Sequence, residues 1–156
     1  MEPIYIAYYK ENPRAPTPTK KVESDACWDL YTIDDANDIQ PGEVRILDTG
    51  IVFIIPDGFE AVVRQRSGLS IKWPSYIANS PGTIDQDYRD TVKIEFFNNT
   101  SSPISIKKGE RIAQIGFRRV PTTMLMEIND EEFQRIKSQS DRGGGLGSSD
   151  IPDYVR

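Results

Sequence analysis

A chain of 156 residues is long enough for one domain with a sizeable core and too short for two ordinary ones. Its 19 Lys and Arg against 24 Asp and Glu give a formal charge of −5, which argues against nucleic acid as a partner, because duplex binding draws on a basic excess. Histidine is absent and Cys27 is the single cysteine, which excludes Ser–His and Cys–His nucleophile pairs, an ordinary zinc site and an internal disulfide. Any general base is then a carboxylate or, less readily, a Lys or Tyr. Any metal is a hard cation held through oxygen, such as magnesium. No apolar run approaches the roughly 20 residues of a membrane helix, and the opening MEPIYIAYYKENP has no signal-peptide pattern. The expected location is the cytoplasm, or the host-cell cytoplasm if the chain is viral, and a lone cysteine fits a reducing compartment.

Short β-branched or aromatic stretches separated by Gly, Pro and Asn/Asp turns run along most of the chain. In order, they predict strands at Ile4–Tyr8, Val44–Leu47, Ile51–Ile55, Phe59–Arg64, Val92–Phe97, Ile104–Ile106 and Arg111–Phe117. Turns fall at Pro41-Gly42, Pro56-Asp57-Gly58, Pro81-Gly82 and Lys108-Gly109. Val92, Ile94 and Phe96 alternate with Lys93, Glu95 and Phe97, so that strand has one strongly buried face. The one helix-like stretch is Asp130 to Lys137, with Phe133 and Ile136 three apart. The expected fold is all-β, a jelly-roll-like barrel or sandwich over residues 1–121, followed by a flexible C-terminal arm over 122–156. The roughly 22 residues from Val120 to Arg142 could span on the order of 70 Å when extended, enough to reach a neighbouring subunit.

Five stretches carry candidate chemistry. In Ala26-Cys27-Trp28-Asp29-Leu30, Asp29 sits among apolar neighbours and needs a partner, either a metal-bound water or an arginine. Arg66-Ser67-Gly68-Leu69-Ser70 combines a guanidinium fork, hydroxyls and a glycine that admits close approach, which suits phosphate or an ordinary turn into a helix. In Pro81-Gly82-Thr83-Ile84-Asp85-Gln86-Asp87-Tyr88-Arg89-Asp90, Asp85 and Asp87 would project to one side of an extended segment. One of them could activate a water, and Tyr88 offers a flat face for a sugar or base; solvated acids at a loop tip read the same way. In Lys108-Gly109-Glu110-Arg111-Ile112-Ala113-Gln114, the glutamine faces a ligand or cross-links strands. Arg142-Gly143-Gly144-Gly145-Leu146-Gly147-Ser148-Ser149 offers backbone donors and a cation to phosphates, or is a disordered tail.

In order and spacing these stretches resemble the five signature motifs of the trimeric dUTPase family, over about Ala26 to Ser149. The resemblance implies a homotrimer with active sites at subunit interfaces that hydrolyses dUTP to dUMP and pyrophosphate, limiting dUTP and supplying dUMP for dTTP synthesis. It makes Asp85 the residue that activates the attacking water and Tyr88 the ring under the deoxyribose. Asn79, the Thr83, Ile84 and Asp85 backbone and Lys93 fall around the uracil pocket on a hairpin. Arg66, Ser67, Gly68 and Gln114 match phosphate-binding positions. Asp29 matches the acid that holds the magnesium shell (Mg2+) through water. Arg142 matches the γ-phosphate arginine of the arm, with Leu146, Gly147 and Ser148 beside it. Two other readings of the same motifs are a regulatory binding module and the dCTP deaminase branch of the fold; the intact TIDQDY stretch favours dUTPase.

Four departures stand out. Leu146 occupies the place of a phenylalanine that stacks on uracil, in a glycine run one residue shorter than usual. Asp90 replaces a glycine at the end of the third motif, and Gln65 replaces a proline at the start of the second; small effects are expected from both. Base–aromatic stacking contributes about 1–3 kcal/mol in single-strand binders, so lid closure is expected to be weaker here. Leu146→Phe is expected to lower KM for dUTP or leave it unchanged in steady-state assays; a clear rise would refute this placement of Leu146.

Overall fold

The computed structural model describes residues 3–139, and it is all-β through Arg119 apart from one short helix. The elements are β1 (Ala7–Lys10), β2 (Trp28–Tyr31), β3 (Ala36–Ile39), β4 (Val44–Asp48), β5 (Ile51–Ile54), β6 (Phe59–Arg64), α1 (Ser67–Lys72), β7 (Tyr76–Ile77), β8 (Gly82–Ile84), β9 (Lys93–Phe97), β10 (Ile104–Ile106), β11 (Arg111–Arg119) and α2 (Asp130–Lys137). They pair antiparallel into four small sheets, β1-β5, β10-β3, β2-β11-β6-β8 and β4-β9-β7. Among the described residues, those through Thr122 form one compact unit and those from Thr123 onward a second.

The inward faces of all four sheets share one core. Ile94 and Phe96 of β9 are fully buried, as is Val92 before it, while Lys93, Glu95 and Phe97 point outward, as the alternation predicts. Ile39 of β3, Ile106 of β10 and Ile112, Ala113 and Ile115 of β11 join them, all at 0% exposure. Trp73, just after α1, packs edge-on against Phe96 at 6.2 Å between centroids.

The first strand begins three residues later than expected, because Ala7–Lys10 and not Ile4–Tyr8 pairs with Ile51–Ile54. Four strands carry too little pattern to be read. β3 buries its two ends and exposes its middle, with Asp38 at φ 52°, so no period of two is visible. β7 and β8 span two and three residues, and β2 carries a half-buried aspartate. The helix over Asp130–Lys137 forms as predicted, with the Asn129 side chain accepting the Glu132 N–H at 2.9 Å and acids filling its first turn. A second helix, α1, follows Arg66 directly and buries Leu69, in keeping with the turn into a helix left open for Arg66–Ser70.

Phe96→Ala is expected to destabilise the fold by about 3–5 kcal/mol in urea unfolding, because it removes a fully buried ring. Ile46→Ala, at a 63% exposed position of β4, should stay within about 0.5 kcal/mol.

Candidate active site

The β2-β11-β6 sheet sets a row of polar side chains beside the core. Gln114 of β11 lies directly opposite Asp29 of β2 on one side and Arg64 of β6 on the other. Directly opposed residues share a face, so the three project together. A register shift between Arg111 and Ala113 lets Ile112 and Ala113 both turn inward while Gln114 faces out. On the same face Gly116 makes room for Cys27, whose Sγ would lie 3.1 Å from an added Cβ.

Asp29 is clamped by two guanidinium groups. Its Oδ1 accepts from Arg66 Nε at 2.6 Å, and its Oδ2 accepts from Arg66 Nη2 at 3.4 Å and Arg111 Nη1 at 3.1 Å. Of the partners left open by the sequence, an arginine is therefore present, and there are two. Gln114 donates Nε2 to the Gln65 carbonyl oxygen at 2.8 Å. Around this row runs a cleft of about 400 Å³ lined by Lys20, Lys21, Arg64, Arg66 and Arg111 against Asp25 and Asp29, with Ser67 and Gln114 between. Five cations and two acids make a locally positive pocket in a chain whose net charge is −5. A pocket of that sign concentrates anions. Gly68 lies on the adjoining cleft with Arg66, Lys72 and Arg111, where an added Cβ would meet nothing nearer than Arg66 Nη1 at 4.0 Å. Arg66, Ser67, Gly68, Gln114 and Asp29 are thus brought together. Arg64, Gln65 and Arg111 join them, unforeseen from sequence; the strand register alone reveals Arg64.

The third stretch builds a different surface. Asp85 is exposed and lines a second cleft with Glu60, Gln86, Asp87 and Val120. Among the described residues its carboxylate has no hydrogen-bond or ion-pair partner. The expected extended run through Asp85 and Asp87 is instead a turn, closed by the Tyr88 N–H on the Asp85 carbonyl at 3.2 Å. Nor do β8 and β9 form a hairpin: β8 pairs with β6, while β9 pairs with β4 and β7 in another sheet. Thr83 and Ile84 lie on β8 opposite Val62 and Ala61, and exposed Asn79 precedes the cis Ser80–Pro81 bond and packs over Gly82.

Tyr88 is half-buried and fixed by donating its hydroxyl to the Thr91 carbonyl at 3.0 Å. Burial, and then the negative charge of Asp90, push its phenol above the ordinary value. Asp90 holds Lys93 Nζ at 3.0 Å and accepts the Thr91 N–H at 2.7 Å. Lys93 first, then that N–H, keeps the Asp90 carboxyl below the usual aspartate value, and Asp90 in turn raises Lys93. Asp90 is thus a tether for Lys93.

Among the described residues no group of three or more His, Cys, Asp or Glu side chains is placed to hold a metal ion. Asp29 uses about three of the roughly four acceptor directions of a carboxylate, so it can still accept from a metal-bound water. Arg142, Leu146, Gly147 and Ser148 lie outside the described residues.

The family model described as dUTPase matches residues 13–149. The chain is 44% identical over 135 residues to the deoxyuridine 5'-triphosphate nucleotidohydrolase of Wolbachia pipientis subsp. Culex pipiens (strain wPip), covering 86% of each. To the protein of the same name in Mycolicibacterium gilvum (strain PYR-GCK) it is 35% identical over 145 residues, covering 92% of this chain and 94% of that one. A variant of Staphylococcus bacteriophage 80alpha dUTPase with dUpNHpp shares the fold at a TM-score of 0.80 and 23% identity, covering 94% of this chain and 99% of that chain. A variant dUTPase from phage phi11 of S. aureus, described with a structural Mg(II) ion, does so at 0.74 and 20%, covering 83% and 100%.

The depressed Asp90 keeps its clasp on Lys93 at any pH above the usual aspartate value, and the clasp opens as pH falls through the lowered one. The raised Lys93 keeps its part below the usual lysine value and loses it as pH rises through the raised one, so the pair is closed at neutrality. Lys93→Met is expected to move the Asp90 midpoint upward in a carboxyl NMR titration. An unmoved midpoint would show that the two groups do not interact.

Proposed function

This chain belongs to the dUTPase family, and we propose that its basic cleft and Asp85 are two parts of one dUTP-hydrolysing site. The chain is a dUTP diphosphatase: it converts dUTP and water to dUMP and pyrophosphate. In the mechanism we propose, Asp85 takes a proton from a water whose oxygen bonds to the α-phosphorus. The bridging α–β P–O bond breaks, and its electron pair leaves with pyrophosphate. An exposed carboxylate without a partner among the described residues is free to accept that proton.

The observation that carries this reading is the pocket of five cations in a net acidic chain, which matches the charge of a triphosphate. Arg66, Ser67, Gly68 and Gln114 would bind its oxygens, with Arg111 beside them. The Tyr88 ring, held by Thr91, would pack against the deoxyribose. Asn79, Thr83, Ile84 and Lys93 would line the uracil pocket. Arg142, Leu146, Gly147 and Ser148, on an arm over 122–156 distinct from the 1–121 domain, would cover the bound nucleotide.

Magnesium is the metal this reading implies, and when bound it would neutralise phosphate charge. Its ligands would come mainly from the substrate's phosphates, with Asp29 accepting from its water shell. The cytoplasm remains the expected compartment.

Asp85 shares its cleft with Glu60, whereas the cradle begins at Arg64, four residues further along β6. At strand spacing that is on the order of 13 Å, too far for a base in one chain to reach a water beside a phosphate bound in its own cradle. A second copy would therefore complete each site, which favours the homotrimer.

Asp85→Asn is expected to lower turnover of dUTP, followed by pyrophosphate release, by a hundredfold or more. Affinity for a non-cleavable analogue should change less than threefold. Near-normal turnover would remove Asp85 from the role of base.

A further inference from the structure

Gln65 follows the last residue of β6, at a point where regular pairing stops. The β6–β8 ladder closes with Val63 opposite Gly82, and nothing in the register continues it toward Arg66. Gln65 supplies that continuation through its own hydrogen bonds. Its backbone N–H donates to Ser80 Oγ at 3.3 Å, and its backbone oxygen accepts Gln114 Nε2 at 2.8 Å. Its Nε2 donates to Ser70 Oγ of α1 at 2.5 Å and to the Ser75 oxygen at 2.8 Å, while its Oε1 accepts the Ile77 N–H at 3.1 Å. The amide orientation is determined by these partners. Turned over, it would set Oε1 against the Ser75 oxygen and an NH2 against the Ile77 N–H.

These bonds join pieces that carry different parts of the chemistry. Ser70 lies on the helix that follows the phosphate-binding Arg66 and Ser67, and Gln114 lines the same cleft. Ser75, Ile77 and Ser80 belong to the stretch that leads through Asn79 and Gly82 to Asp85. We propose that Gln65 is a positioning residue for dUTP hydrolysis: it fixes the phosphate cradle relative to the segment that carries Asp85, so that when copies assemble each cradle meets the Asp85 of a neighbouring copy in register. This role rests on the assignment of the cradle and Asp85 given above. Gln65 touches no reacting atom; its side chain acts through Ser70, Ser75 and Ile77. A displacement on the order of 1 Å between groups that must meet in the transition state costs about a hundredfold in rate, so losing the amide would act on turnover more than on affinity.

The test is Gln65→Met in the full chain, which keeps length and bulk and deletes the side-chain hydrogen bonds. The expected result is a fall in kcat of tenfold or more. The dissociation constant for a non-cleavable dUTP analogue, measured well below the melting temperature, should change less than threefold. Ser70→Ala removes one exposed partner and leaves the core intact, so it tests the same link if Gln65→Met fails to fold; kcat should fall threefold or more without a change in melting temperature. A folded Gln65→Met with kcat within twofold of the unchanged chain would overturn the proposal. So would a loss confined to the dissociation constant, or a Ser70→Ala with unaltered kcat. Absence of dUTP turnover in the unchanged chain would instead overturn the functional assignment, and this role with it.

Discussion

The site depends on one carboxylate held between two guanidinium groups. Arg66 and Arg111 come from different parts of the chain, and without Asp29 their charges would repel across a small cleft. Both Asp29 and Arg66 are largely shielded from water, at 17% and 20% side-chain exposure. Charge-assisted hydrogen bonds in such a setting are stronger and more directional than exposed ion pairs. Asp29 therefore fixes where the two cations point and lowers the cost of keeping them close. The pocket nevertheless stays net positive, which a triphosphate needs.

That clamp exists because of strand register. Asp29, Gln114 and Arg64 are far apart in sequence and become one row because β11 pairs with β2 on one edge and β6 on the other. The bulge at Arg111–Ala113 sets the phase of the row by turning Gln114 out of an otherwise apolar strand. The same strand β6 separates the cradle from Asp85, since the two lie toward its opposite ends. In the proposed mechanism, a rigid spacer of this kind leaves the two functions of one chain to be joined through a second copy.

Much of this was legible in the amino-acid order. Val92–Phe97 alternates strictly because one face of β9 is in the core, and Asp130–Lys137 was marked as helix-like by the three-residue spacing of Phe133 and Ile136. Other elements were not legible for physical reasons. β7 and β8 are shorter than one period of readable alternation, and β3 turns through a positive φ at Asp38. Asp85 and Asp87 looked extended because nothing local distinguishes a strand end from the turn that the Tyr88 N–H closes.

By itself the sequence determined the class of chemistry. With no histidine and one cysteine, it left a carboxylate or, less readily, a Lys or Tyr as base and oxygen ligands for any metal, because those follow from which functional groups exist at all. The phosphate substrate came from the resemblance that five stretches in order carry. Only the tertiary structure decided how they combine. It paired Asp29 with arginines, recruited Arg64 and Arg111, made Gln65 a junction and Asp90 a tether, and kept Asp85 away from the cradle. Such outcomes depend on register between strands distant in sequence, a property no local pattern encodes.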